Sequence, residues 1–322
     1  MVFPPARLAA LAAVTILGAS IAACGGKSAS TGGVAKPELD SDPFALLPPS
    51  GILVAGLDLR AAVGDPALGA QIASIADALV PIGEGSSFVA SRDVDRVLVD
   101  VVATLKVDVA AVLSGRFDVD RIAQASQTLN GTPISHGAYA GFATSSTGHT
   151  TWVALTPRTV VAGTSDGVKY VLDLLQKGPP ARSLPPWVLE TLQTPGATIA
   201  VTADFASRPV AAAALGSVNL PWLKGMRIGR VIGNMQPPGL NVAATITYAD
   251  ASGAQDAASA VRSVDRWLDL FGPLVGGLKL QGFDASAEGS DVRCKFALDT
   301  QGLHTLLAML PRLLPTAQPS SQ

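Results

Sequence analysis

The stretch that most looks like chemistry is Gly163-Thr164-Ser165-Asp166-Gly167. Its G-x-S-x-G spacing, placed between a strand and a helix, is that of a nucleophile held exposed on a tight turn. Ser165, a later aspartate and His304 also stand in an order that an acyl-transfer triad can use. A less demanding role fits the same residues. Ser165 aligns with Thr300 ahead of a second helix, each two residues before a glycine. A hydroxyl at a helix N-cap contributes about 1 kcal/mol by accepting from otherwise unpaired amides. Capping is therefore the expectation; Ser165 is the one catalytic candidate, a weak one, and no enzyme activity is expected.

Other reactive residue types are sparser still. His136, His149 and His304 lie far apart and form no H-x-x-x-H or H-E-x-x-H pattern, so no metal site is expected. Asp93, Asp95, Asp100, Asp108, Asp118 and Asp120 do not follow the D-x-D-x-D-G calcium loop, and are expected at solvated strand edges and a helix cap. Gly83-Glu84-Gly85-Ser86-Ser87-Phe88 lacks the third glycine and the preceding strand of a dinucleotide loop. No Walker sequence occurs, and no cofactor is expected. Cys294 shares one strand face with Val292, Phe296 and Leu298, which makes it an expected inert core residue.

Composition sets the frame for these residues. Charged residues make up 15% of the 322, well below the roughly 25% of average soluble domains, while hydrophobic residues reach 48%. A net charge of −2 offers no basic excess for phosphate backbones, which argues against nucleic acid. The mean hydropathy of +0.37 implies a thick Ala/Leu core, an exposed apolar surface or a cavity.

The elements that position all this read as an α+β protein of two tandem pseudo-symmetric repeats. Each half runs β-α-β-β-α-β-β-α, the first with one extra short strand, which implies an internal duplication. The first repeat spans 48–178, a Pro-rich connector 179–196 and the second repeat 197–315, before a disordered tail over 316–322. Gly141–Gly148 opposite Gly282–Gly289 is the ungapped anchor between the halves. Short turns between strands predict largely antiparallel sheets, with helices on one face. Apolar segments Val210–Leu223, Trp267–Leu280 and Leu303–Leu314 predict a deep core, or a groove for a lipid-like ligand, in the second half.

Ahead of the repeats, Met1–Arg7 is a short start with one basic side chain, Leu8–Ser20 is apolar, and small residues lead to Cys24. This is the layout of a secretory signal, and the run is short of the roughly 20 residues of a spanning helix. Ile21-Ala22-Ala23-Cys24 resembles the lipobox of bacterial lipoproteins: a branched apolar residue, two small residues and the cysteine. The resemblance implies removal of residues 1–23 by cleavage after Ala23, acylation of Cys24, and a Gly/Ser-rich tether, with the tethered segment at 24–47. It implies a place in the cell envelope anchored to a membrane; Gly25, where an aspartate often favours the inner membrane of didermic bacteria, leans towards the outer one. The expected role is binding or scaffolding, with an apolar ligand or an envelope protein as partner.

Overall fold

The structure, a computed structural model, describes residues 37–79, 86–103, 108–128, 131–144, 150–208, 221–271 and 278–313. The chain enters through α1 (Pro37–Ser41) and a 3-10 turn over Pro43–Leu46. Leu39, Phe44, Leu46 and Leu47 are buried in the main core. The expected tethered segment of 24–47 is therefore too long: Pro37–Leu47 belongs to the body. Hydrophobic burial explains why, since each such side chain gains about 1.5–3 kcal/mol on leaving water.

The first half continues with β1 (Leu53–Asp58), α2 (Leu59–Val63), α3 (Gly69–Leu79) and α4 (Ala90–Asp93). Then come β2 (Val94–Ala103), β3 (Asp108–Gly115), α5 (Val119–Thr128), β4 (Thr132–His136) and β5 (Tyr139–Ala143). The hairpin β6 (Thr150–Thr156) and β7 (Thr159–Thr164) leads into α6 (Ser165–Gln176). Carboxylates start several helices: Asp65 Oδ1 accepts from the Ala67 and Leu68 amides ahead of α3, and Asp118 Oδ1 from the Arg121 amide in α5. The connector holds α7 (Pro186–Leu192), whose Val188 and Leu192 join Leu184 in the main core. It is a packed element, pinned by the Arg182–Asp42 pair at 2.6 Å.

The second half holds β8 (Ile199–Asp204), a 3-10 turn over Pro221–Leu223, β9 (Met226–Gln236) and β10 (Gly239–Tyr248). It ends with α8 (Ala251–Phe271), β11 (Gln281–Glu288), β12 (Asp291–Asp299) and α9 (Thr300–Leu313).

The twelve strands of the described residues form one sheet in the order β11-β12-β10-β9-β8-β1-β2-β3-β7-β6-β5-β4. Every neighbouring pair is antiparallel. β1 and β8 sit side by side at the centre, and the strand order outward from them matches: β1-β2-β3-β7-β6 on one side, β8-β9-β10-β12-β11 on the other. The additional piece in the first half is the β4–β5 hairpin, folded at Gly137 (φ 60). This corrects the sequence anchor between the halves. Gly141–Ala143 lie on β5, whereas Gly282–Glu288 lie on β11, whose topological counterpart is β6.

Strand register shows which side chains share a face, because directly paired residues point the same way. One row runs Val161-Val112-Leu98-Gly56-Ala200-Ile232-Ala243-Lys295-Asp284 across the sheet. Its neighbour on the opposite face runs Ala162-Ala111-Val99-Ala55-Val201-Val231-Ala244-Cys294-Ala285. The faces are named the Leu98 face and the Val99 face.

In the first half both faces are apolar and both are covered. α6, α7 and the N-terminal segment pack on the Leu98 face, around Val112, Val161, Val171 and Leu172. α2, α4 and residues of α3 and α5 pack on the Val99 face, around Ala111, Leu113 and Trp152. In the second half α8 and α9 both pack on the Val99 face. Helices on one face is thus correct for the second half and wrong for the first. The reason is composition: strands such as Asp-Val-Ala-Ala-Val-Leu, apolar at consecutive positions, must be covered from both sides.

Candidate functional site

Ser165 opens α6, and its hydroxyl lies 3.0 Å from that of Thr151. The N-cap is Thr164, one residue earlier than expected, whose Oγ1 accepts from the Gly167 amide at 3.1 Å. The counterpart cap is Asp299, whose Oδ1 accepts from the Gly302 amide at 2.7 Å, so Thr300 is likewise displaced by one. Both glycines of the G-x-S-x-G spacing have a packing cause. A Cβ on Gly163 (φ 149) or Gly167 would collide with the Val109 carbonyl, because the start of α6 rests against β3. His304, on α9, pairs its Nδ1 with Gln71 of α3, and Gln71 Nε2 donates to the His304 carbonyl at 3.2 Å. Ser165 and His304 therefore pack against different elements, in different halves.

His136 Nε2 faces Asp173 Oδ1 at 2.6 Å, and His149 lies outside the described residues. Among the described residues no three His, Cys, Asp or Glu side chains converge as metal ligands. Cys24, Ala23 and the rest of the expected signal over 1–23 lie outside the described residues, as does the tail over 316–322. Cys294 is partly exposed instead of in the core. Burial, followed by the charges of Asp284 and Asp265, pushes its thiol up to about 11, so little thiolate forms near neutral pH.

The aspartates divide in a way their spacing does not reveal. Asp118 caps α5, and Asp93 accepts from the Val89 amide at 2.9 Å and pairs with Arg92. Asp100 and Asp108 are buried, against the expectation of solvated edges. Asp100 has no exposed surface, and among the described residues neither of its carboxyl oxygens has a hydrogen-bond partner. It sits on the Leu98 face of β2 beneath Gly51, where a Cβ would collide with the carboxylate. Desolvation pushes its carboxyl up to about 8, with the Arg208 charge acting the other way. The Arg208 guanidinium itself donates to the carbonyls of Pro49 (3.1 Å) and Ser50 (3.3 Å). The expectation of a solvated edge is wrong for Asp100, and the one signal against it is its place inside the apolar run Val97-Leu98-Val99-Asp100-Val101-Val102.

The candidate binding surface is the Val99 face of the second half. At one end α8 buries Ala254, Ala257 and Ala258 against Tyr248 and Val292. Tyr248 also donates its phenol to the Trp222 carbonyl. At the other end Leu303 of α9 packs with Leu298 and with Leu68, just ahead of α3. Around this second cluster Met235, Leu240, Leu278, Phe296, Leu306 and Leu307 are only partly buried. Between the clusters, Val231, Val242, Ala244 and Cys294 also stay partly exposed on the same face. Of the apolar sequence segments, Leu303, Leu306, Leu307, Leu278 and Leu280 contribute here, while residues 209–220 and 272–277 lie outside the described residues.

No protein-family model matches the chain, and no curated protein sequence does. Solved structures do match it. The chain shares the fold of TP0453. Crystal form I of TP0453 aligns with a TM-score of 0.52 at 12% identity, covering 85% of this chain and 98% of that one. Crystal form III gives 0.50 at 10% identity, covering 83% and 98%. At such identities the likeness is one of fold alone. Its extent matters nonetheless, because an alignment over nearly all of TP0453 must take in both halves of this sheet.

Proposed function

We propose that this chain is a lipid-anchored envelope protein, cleaved after Ala23 and acylated on Cys24, whose body binds and does not catalyse. The bound species is apolar, an acyl chain or a comparably hydrophobic segment, and its seat is the Val99 face between α8 and α9. The observation that carries this reading is the row Val231, Val242, Ala244 and Cys294, an apolar strip left partly exposed between two helix-packed clusters. Ligand sites are concave and mostly apolar, and the strip offers hydrophobic area with few polar groups to desolvate. Gly25 after the cysteine leans the location towards an outer membrane.

Two measurements test the two parts. Labelled palmitate is expected to enter the wild type and not Cys24→Ala; equal labelling, or none, refutes the anchor. Native mass spectrometry of the chain from Gly25 onward is expected to show co-purifying lipid, lost when Ala244→Asp places a charge in the strip. A clean unliganded mass, with no binding of an apolar dye, removes the ligand reading and leaves a scaffolding role, to be sought by capture of envelope proteins.

A further inference from the structure

The sheet ends in β11 on one side and β4 on the other. An end strand turns a row of backbone groups away from its neighbour, and such a row is a template for another strand. Hairpin geometry fixes which groups those are. β11 and β12 are joined through Gly289 and Ser290, with Glu288 opposite Asp291. A two-residue turn makes its flanking pair a hydrogen-bonded one, and such pairs alternate with pairs whose N–H and C=O face outward. Counting back from Glu288, Ser286 and Asp284 bond to β12, whereas Ala287 and Ala285 direct their backbone groups to the free side. The same count at the other end starts from His136 opposite Tyr139 and makes Ser135 and Pro133 the outward residues of β4.

The two ends are closed by different means. At β4 the outward residue 133 is a proline, which has no N–H to offer an added strand. At β11 the outward carbonyl of Ala285 is occupied: Arg262 of α8 donates to it through Nη1 at 3.0 Å. Arg262 Nη2 donates to the Ser259 hydroxyl at 3.2 Å, and that hydroxyl donates to the Gln255 carbonyl at 3.0 Å, so the guanidinium is steadied from its own helix. Charge does not close this edge. The carboxylates of β11 are neutralised by β12, Asp284 by Lys295 at 3.5 Å and Glu288 by Arg293 at 2.7 Å. Length does not close it either. The register shift lies between Gln281 and Asp284, which leaves Asp284–Glu288 as a regular stretch.

We propose that Arg262 is an edge guard: by occupying the Ala285 carbonyl it keeps β11 from pairing with β11 of a second copy of this chain. A second copy fits because the regular stretch is centred on Ser286, with Ala285 and Ala287 placed evenly about it. Two such strands related by a two-fold axis bring the Ala287 N–H of each copy to the Ala285 carbonyl of the other. Asp284 then lies across from Glu288 of the second copy, and each of these carboxylates already has its cation on β12. The guanidinium and the second copy's N–H therefore compete for one oxygen. The proposal is independent of the apolar ligand on the Val99 face.

Sedimentation velocity over a concentration series tests it, on the chain from Gly25 onward, which carries the whole described fold. Wild type is expected to be a monomer. Arg262→Ala is expected to form a reversible dimer, with its association constant raised at least about ten-fold, since a charged donor is lost from the contested carbonyl. Adding Ala287→Pro to Arg262→Ala is expected to restore the monomer, because the outward N–H is spent on no bond within the sheet and is the donor a second copy needs. Arg293→Ala removes the same charge from the Leu98 face, leaves the guard in place, and is expected to stay monomeric. Overturning results are a monomeric Arg262→Ala, a dimer that persists with Ala287→Pro, equal dimerisation of Arg293→Ala, or a wild-type dimer that Ala287→Pro splits. Melting temperatures check that each variant is folded, and Arg262→Met, which retains an apolar stem, replaces Arg262→Ala if that variant is not.

Discussion

The two halves use one strand order and cover it differently. After the last hairpin of the first half, α6 crosses to the Leu98 face; after the last hairpin of the second, α9 stays on the Val99 face and meets α3. The row Val161-Val112-Leu98-Gly56-Ala200-Ile232-Ala243-Lys295-Asp284 shows why. Its first-half members are apolar, whereas its far end is the exposed pair Lys295–Asp284 at 3.5 Å. A leucine-rich helix gains by covering the former and would strand charges by covering the latter. The first half thus has helices on both sides of the sheet. In the second half α8 and α9 share the Val99 face, where many apolar residues are only partly buried. The same topology yields a closed core on one side and an open, adaptable layer on the other.

The largest expected effect comes from the one misfit in the closed half. Asp100 has a carboxyl pushed up to about 8 from 3.8, so the folded protein holds a proton that the unfolded chain releases. Stability therefore falls as pH rises between those two values, by at most on the order of 5 kcal/mol. Asp100→Asn is expected to remove that slope and to be the more stable protein at pH 8. Urea unfolding of both proteins across the interval is the measurement; a wild type with no downward slope would show that the carboxyl finds a partner in the closed half after all.

How much of this was legible follows from which forces leave a local trace. The Asp118 and Asp65 caps and the shared face of Val109, Ala111 and Leu113 leave a local trace in the sequence, because alternation and capping act over a few residues. The β4–β5 hairpin leaves little trace in the sequence, since Gly137 alone marks its turn. The burial of Phe44, Leu46 and Leu47 was hidden in a segment resembling a tether, and the faces chosen by α6 and α9 depend on residues more than a hundred positions apart. Asp100 illustrates the same limit at the site. Its spacing matches its solvated neighbours, and only the pairing of β2 between β1 and β3 takes it out of water.

An intermediate effect compares the two helix layers directly. Leu172 of α6 is fully buried in the closed half, and Leu306 of α9 is partly buried in the open one. Leu172→Ala is expected to cost about 2–5 kcal/mol, because a cavity adds to the lost transfer energy. Leu306→Ala should cost below about 1 kcal/mol, since much of that side chain is already near solvent or free to be replaced by neighbours. Chemical denaturation midpoints of the two variants decide the matter. Equal costs would mean that the α9 layer is packed as tightly as the α6 layer, which would take away the basis for an apolar ligand there.

The smallest effect tests whether the halves remain equivalent where their packing diverges. Thr164 and Asp299 cap α6 and α9 from matching positions, and each side chain makes a second bond. The Thr164 hydroxyl also accepts from the Val109 amide at 3.1 Å, and Asp299 Oδ2 accepts from Gln281 Nε2 at 2.8 Å. Thr164→Ala and Asp299→Ala should each lower stability by about 1 kcal/mol, with Thr164→Ser and Asp299→Asn recovering most of it. Asp299 should cost slightly more, because its charge also meets the helix dipole. Ser165→Ala, one residue along, gives up only the contact with Thr151 and should move the melting temperature less than Thr164→Ala. If the serine variant were the costlier one, the cap would belong to Ser165, and the match between the two helix starts would be off by a residue.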